Sequence, residues 1–246
     1  MQSSGILRGQ DDAIKIIAFD WHDVIAEKQI IETSVEAAKL WWNNIADTPL
    51  MLRSGLGIAF TVLKNTLKKN GKKLSVGMIL LEYPELEKYR ENLYYFSTLE
   101  KPIQGMPELI KKLKEKDVKV VLASNMNEDS LEYSKRTRPE LFDLFDAYYV
   151  CNEKHGEKPN EKFYHGLRKK MNKRFWIDLA KEILFIDDKK QNVDGAFKAD
   201  VNIKALHFKN IKQLLSDLVK AGYLEEHDAH GLLSYDNTYK KVRTEV

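Results

Sequence analysis

Five short runs of apolar, largely β-branched residues punctuate the chain, and each is followed at once by polar or charged positions. The first, Ile14-Lys15-Ile16-Ile17-Ala18-Phe19, ends on Asp20; the later ones are Val118–Ala123, Ala147–Val150, Ile183–Ile186 and Asn202–Phe208. Near-continuous apolar runs of this kind predict strands buried on both faces. Between them the period lengthens to that of amphipathic helices over Met106–Lys116, Glu128–Thr137, Glu161–Met171 and Gln191–Ala199, and Ile211, Leu214, Leu215, Leu218 and Val219 mark the face of a last helix. Strand and helix alternate, which predicts an α/β fold with a Rossmann-like parallel sheet covered on both sides.

Residues 29–99 break this rhythm and read as helices, with Thr48-Pro49 as a start signal and Asn70-Gly71 as a stop. They form an insertion after the first strand. Leu40, Trp41, Trp42, Phe60, Leu63, Tyr89, Tyr94 and Phe96 read as the core of a small helical bundle rather than a cofactor box. The expected organisation is a core from 12–26 and 100–223, a helical domain over 27–99, and a loosely docked tail over 224–246, where mixed charges show no period.

Composition narrows the class further. At 246 residues with 43% hydrophobic and 31% charged positions, the chain can bury a core without staples and is neither collagen-like nor wholly disordered. No apolar stretch reaches membrane-spanning length, and the first twelve residues do not read as a secretory leader. Cys151 is the only cysteine, so no internal disulfide or multi-cysteine metal site is expected, in keeping with a reducing, cytoplasmic setting. A formal charge of +3 is too balanced to suggest nucleic-acid or membrane binding. The basic runs Lys64–Lys73 and Arg168–Arg174 read as solvated helix ends.

In an open parallel sheet, ligands collect where the strands end, so the polar residues after each run are the candidates for chemistry. The first strand delivers Asp20 and His22, the second Ser124 and Asn125, and the fourth Asp187 and Asp188, while Lys158 precedes the helix from Glu161. Carboxylates gathered in a cleft need compensation, which points to a hard divalent cation held by oxygen ligands, Mg²⁺ being the natural candidate. A hydroxyl, an amide and an ammonium opposite them suit the oxygens of a phosphate. A carboxylate beside such a group can also attack it.

These residues resemble the haloacid dehalogenase superfamily of hydrolases, most of whose members are Mg²⁺-dependent phosphatases. Phe19-Asp20-Trp21-His22-Asp23-Val24-Ile25 is similar to its first motif, Val121-Leu122-Ala123-Ser124-Asn125 to the second, Lys158-Pro159 to the third, and Phe185-Ile186-Asp187-Asp188 with Asn192 to the fourth. The helical insertion lies where the family places a cap domain. The resemblance implies Asp20 as nucleophile and Asp188 as the main carboxylate metal ligand, with Asp187 in support. It further implies the backbone carbonyl of His22 as another ligand, Ser124, Asn125 and Lys158 as phosphate binders, and Asn192 as a buttress. Family phosphatases carry a second Asp, the acid and base of the reaction, where this chain has His22; an imidazole can do the same work near neutral pH. Dehalogenases of the superfamily have Tyr there, and phosphonoacetaldehyde hydrolases share Asp-Trp but continue with Ala. The expected function is hydrolysis of a small phosphorylated metabolite through an aspartyl-phosphate. The alternative is a catalytically inactive member that binds a ligand or partner. Substrate identity and oligomeric state are left open by the sequence.

Overall fold

Every apolar run that predicts a strand forms one in the computed structural model, which describes residues 15–28, 76, 80–81, 84–91, 94, 100–152, 156–176, 183–199 and 202–233. In chain order these residues form β1 (Ile16–Phe19), β2 (Ala26–Lys28), a 3₁₀ turn (Pro84–Tyr89), β3 (Glu100–Pro102), α1 (Met106–Glu115), β4 (Lys119–Ser124) and α2 (Glu128–Thr137). There follow α3 (Pro139–Phe142), β5 (Ala147–Val150), α4 (Glu161–Phe175), β6 (Ile183–Asp187), α5 (Lys190–Lys198), β7 (Ile203–His207) and α6 (Ile211–Lys220). The described residues fall into two compact units, one drawn from Met1–Ile25, Ile103–Asn125 and Asp143–Val246, the other from Ala26–Pro102 and Met126–Phe142.

The first unit holds a five-stranded sheet in the order β5-β4-β1-β6-β7, with every pairing parallel. β1 lies between β4 and β6, and Phe19 is level with Leu122 on one side and Ile186 on the other. The residues just past these three strand ends therefore emerge along one edge of the sheet. Both faces are apolar: Ile16, Ala18, Val121, Ala123 and Phe185 cluster with Phe163, Leu167 and Met171 of α4 and Val193 and Ala196 of α5. Their alternates Ile17, Phe19, Val120, Leu122 and Ile186 are equally buried. Edge-on aromatic contacts run through this core, from Tyr149 to Phe163 at 4.9 Å and from Tyr164 to Phe185 at 5.6 Å between ring centroids.

Asparagines start three of the helices, α2, α4 and α6. Asn160 accepts from the Lys162 amide at 2.9 Å, Asn210 from Gln213 at 2.9 Å, and Asn127 from Ser130 at 2.8 Å. Capping of α2 thus falls to Asn127, two residues past Asn125. In the basic run of α4, Arg168 is buried, while Lys169, Lys170, Lys173 and Arg174 are exposed. The helical insertion expected over 27–99 lies largely outside the described residues, including its Leu40, Trp41, Trp42, Phe60, Leu63 and Phe96 and the basic run Lys64–Lys73.

The second unit contains an antiparallel pair, β2 with β3, in which Ala26 faces Pro102 and Lys28 faces Glu100. These three-residue strands are mostly charged, and no apolar run marks them in the sequence. Tyr94 stacks on Tyr133 of α2 with centroids 5.1 Å apart and planes 17° from parallel, and Arg136 pairs with Glu91 at 2.8 Å.

The chain past Leu224 departs from the loosely docked tail expected there. Residues 226–233 are helical, with Leu224, Asp228 and Ala229 buried. Asp228 meets Lys112 at 3.2 Å and Lys116 at 2.9 Å and accepts from the Glu225 amide at 3.2 Å. Burial pushes its carboxyl up, but the hydrogen bonds from Lys116, the Glu225 amide and Lys112 outweigh that and hold it at about 2. A polar anchor leaves no hydrophobic period, which is why the pattern did not show it. The remainder of that tail, 234–246, lies outside the described residues.

Candidate functional site

β1 ends by delivering Asp20 to the sheet edge, 3% exposed, with its amide bonded to the Ile186 carbonyl at 2.9 Å. The chain then turns sharply. Trp21 is fully buried and tilted against Phe145, the Ile25 amide closes on the Trp21 carbonyl at 3.0 Å, and Asp23 takes a left-handed φ of 59°. His22 is left half-buried beside Asp20, while Asp23 faces solvent.

Lys158 is the hub of the site. Its buried ammonium lies 2.8 Å from Asp20 Oδ1 and donates to Asp187 Oδ2 at 2.7 Å and to the Ala123 carbonyl at 2.9 Å. Two of its hydrogens are thus taken by hydrogen bonds, and Asp20 faces it as an ion pair. Below it lie the rings of Phe185 and Phe163, with centroids 5.2 and 5.9 Å away. Burial pushes the Asp20 carboxyl up, but the Lys158 ammonium, the nearby His22 and hydrogen bonds from Lys158 and the Trp21 amide together hold it below the usual carboxylate range. Asp20 is accordingly an ionised, partly desolvated carboxylate, the form a nucleophile requires.

Asn125 acts on the backbone of Lys158. Its Oδ1 accepts from the Lys158 amide at 2.7 Å, and its Nδ2 donates to the Lys158 carbonyl at 3.0 Å. The Cys151 thiol in turn donates to the Asn125 carbonyl at 3.1 Å. Both functional groups of the Asn125 amide thus clamp the loop that carries the lysine. Ser124 is fully buried at the end of β4. On the other side of that loop, α5 comes so close that a Cβ added to Gly195 would lie 2.5 Å from the Pro159 carbonyl oxygen.

The fourth strand supplies two carboxylates in different states. Asp187 is fully buried and saturated: besides Lys158, it accepts from the Lys189 amide at 2.9 Å and from Asn192 Nδ2 at 2.9 and 3.0 Å. Asn192 is anchored by Tyr164, whose hydroxyl donates to its carbonyl at 2.6 Å. Asp188 is more open, and its Oδ1 is buried without a hydrogen-bond partner. Burial raises its carboxyl above the usual range, with the charges of Asp187, Asp20 and Asp23 adding to the shift and Lys189 opposing it. One oxygen each from Asp20, Asp187 and Asp188 lie within 4.8 Å of one another. An orphaned carboxylate oxygen among converging carboxylates fits a hard divalent cation. The side-chain nitrogens of His22 are not part of this group.

Of the residues singled out in the sequence, Asp20, Lys158, Asp187 and Asp188 come together, Asn125 engages the Lys158 backbone, and Ser124 and His22 flank the cluster. Tyr164 and the Ala123 carbonyl went unrecognised. A tyrosine inside a helix and a backbone carbonyl inside a strand carry no local signal.

The haloacid dehalogenase-like hydrolase family matches residues 14–200. The HAD-hydrolase YfnB from Bacillus subtilis, whose structure is bound to magnesium, is similar with a TM-score of 0.53 at 15% identity, covering 84% of this chain and 99% of that one. A HAD family enzyme from Bacteroides thetaiotaomicron is similar with a TM-score of 0.50 at 19% identity, covering 80% of this chain and 95% of the other. At these identities the likeness is one of fold. No curated protein matches the sequence. Among the described residues, no helix is long and apolar enough to cross a membrane.

Proposed function

Because the chain belongs to the haloacid dehalogenase-like hydrolases, we propose that it is a Mg²⁺-dependent phosphatase acting on a small phosphate monoester through Asp20. The observation that carries this reading is the buried Asp20 carboxylate, 2.8 Å from the Lys158 ammonium and in the same cluster as Asp187 and Asp188. Asp188 would hold the cation with its open oxygen, Asp20 and the backbone carbonyl of His22 would complete the protein ligands, and Asp187, whose oxygens are already taken, would support them through its charge. When bound, Mg²⁺ supplies neutralising charge and orientation for the phosphoryl oxygens.

The Asp20 carboxylate attacks phosphorus, the bond to the ester oxygen breaks, and the departing alkoxide takes a proton from the His22 imidazolium. The resulting aspartyl-phosphate is attacked by water as neutral His22 removes a proton from it, which releases inorganic phosphate and restores Asp20. Lys158 keeps Asp20 charged and oriented throughout. With Asn125 holding its loop, Lys158 presents a fixed positive field to the incoming phosphate. Ser124 and the remaining hydrogen of Asn125 Nδ2 are the other groups assigned to phosphate binding.

A panel of phosphate monoesters assayed with Mg²⁺ tests this reading. Turnover is expected to fall to background in Asp20→Asn and by about 10²–10⁴-fold in His22→Ala, whereas turnover unchanged in Asp20→Asn would remove the mechanism. A second reading is favoured by His22 itself: a silent member that uses the crevice only to bind. A near-inactive wild type that gains large turnover in His22→Asp would support it.

A further inference from the structure

We propose that His207 is a positioning residue for Asp188, an inference that rests on the reading of the carboxylate cluster as a metal site. The three carboxylates are fixed in unequal ways. Asp187 is held by Lys158, the Lys189 amide and Asn192, and Asp20 by Lys158 and the Trp21 amide. Asp20 Oδ1 and Asp188 Oδ1 both lack a hydrogen-bond partner, but Asp20 is gripped by the buried Lys158 at 2.8 Å, whereas Asp188 has Lys189 Nζ 3.9 Å away on a side chain 45% exposed.

What holds Asp188 is its backbone. His207 Nε2 lies 2.8 Å from the Asp188 carbonyl oxygen. A carbonyl only accepts, so Nε2 carries the hydrogen, and the bond persists in both the neutral and the protonated ring. The placement follows from the sheet. The β6–β7 register ends with Asp187 level with His207, and the Phe208 amide takes the Asp187 carbonyl at 2.9 Å. Beyond Asp187 the chain leaves the sheet to begin α5 at Lys190, and the ladder stops. The His207 ring extends the grip of β7 by one residue, onto the carbonyl of Asp188. His207 is no ligand itself; it orients one, as outer partners of metal ligands do.

Calorimetric titration of Mg²⁺ into the full-length protein tests this, comparing wild type with His207→Gln and His207→Met. The two variants are similar in length, but only Gln offers an amide donor to the Asp188 carbonyl. We expect Gln to keep wild-type affinity and Met to lose about 10–100-fold, with metal-free melting temperatures of the two variants alike. Met binding as tightly as wild type, or Gln falling as far as Met, would overturn the positioning role while leaving the metal site in place. A wild type that takes up no Mg²⁺ would overturn the underlying reading and this inference with it. Should the Met variant not fold, His207→Asn, whose amide is too short to reach, takes its place in the comparison.

Discussion

The ammonium of Lys158 has three oxygen partners and a floor of two aromatic rings, so its position is fixed by its surroundings and by the Asn125 clamp on its backbone. Gly195 belongs to the same device, since a Cβ there would lie 2.5 Å from the Pro159 carbonyl and 2.8 Å from the Pro159 ring carbon. Backbone cannot yield as a flexible side-chain end does. Gly195→Ala should therefore cost about 1–3 kcal/mol in denaturant unfolding, as overpacking does elsewhere, and unchanged stability would mean that α5 and the lysine loop move apart freely. Asp20, Lys158, Asp187 and Asp188 were legible in the sequence because each directly follows an apolar run or precedes a helix. The Asn125 clamp was not legible, since whether an amide faces a ligand or a neighbouring backbone depends on a loop 33 positions away.

At the scale of elements, the helix over 226–233 shows what patterning misses. It is attached by Leu224 and Ala229 and by one buried carboxylate between two lysines of the α1 region, a contact between residues more than a hundred positions apart. The Asp228 carboxyl is held at about 2 in the folded chain against an ordinary 3.8. Its folded value is depressed, so its stabilising contribution is fully present above pH 4 and is lost as pH falls through 2. Thermal melts should therefore show a steeper loss of stability over that window in the wild type than in Asp228→Asn, and parallel curves would show that the anchor is not charged. The β2–β3 pair was illegible for a related reason: its strands are three residues long and charged, and only pairing defines them.

For the molecule as a whole, the alternation of strand and helix was sufficient to predict a parallel sheet, because such strands are buried on both faces and require helical crossovers. The spatial order β5-β4-β1-β6-β7 was beyond the pattern, since near-uniform apolar runs do not encode their neighbours. That order aligns the ends of β1, β4 and β6 and so makes the site. If the site takes Mg²⁺, binding is linked to folding: at a hundred times the dissociation constant the ion adds about 2.7 kcal/mol. At about 2–4 °C per kcal/mol for a chain of this size, the melting temperature should rise by about 5–10 °C in wild type and by much less in Asp188→Asn, as differential scanning calorimetry would report. Equal rises would place the ion elsewhere.

The single charge of Lys158 also bears on valence. One ammonium set against Asp20, Asp187 and Asp188 in their ionised forms leaves two surplus negative charges, so a doubly charged ion makes the ensemble electroneutral. Sodium or potassium would leave one of these charges uncancelled. On the proposed reading, the protein's own charges would favour a divalent ion over the abundant alkali ions.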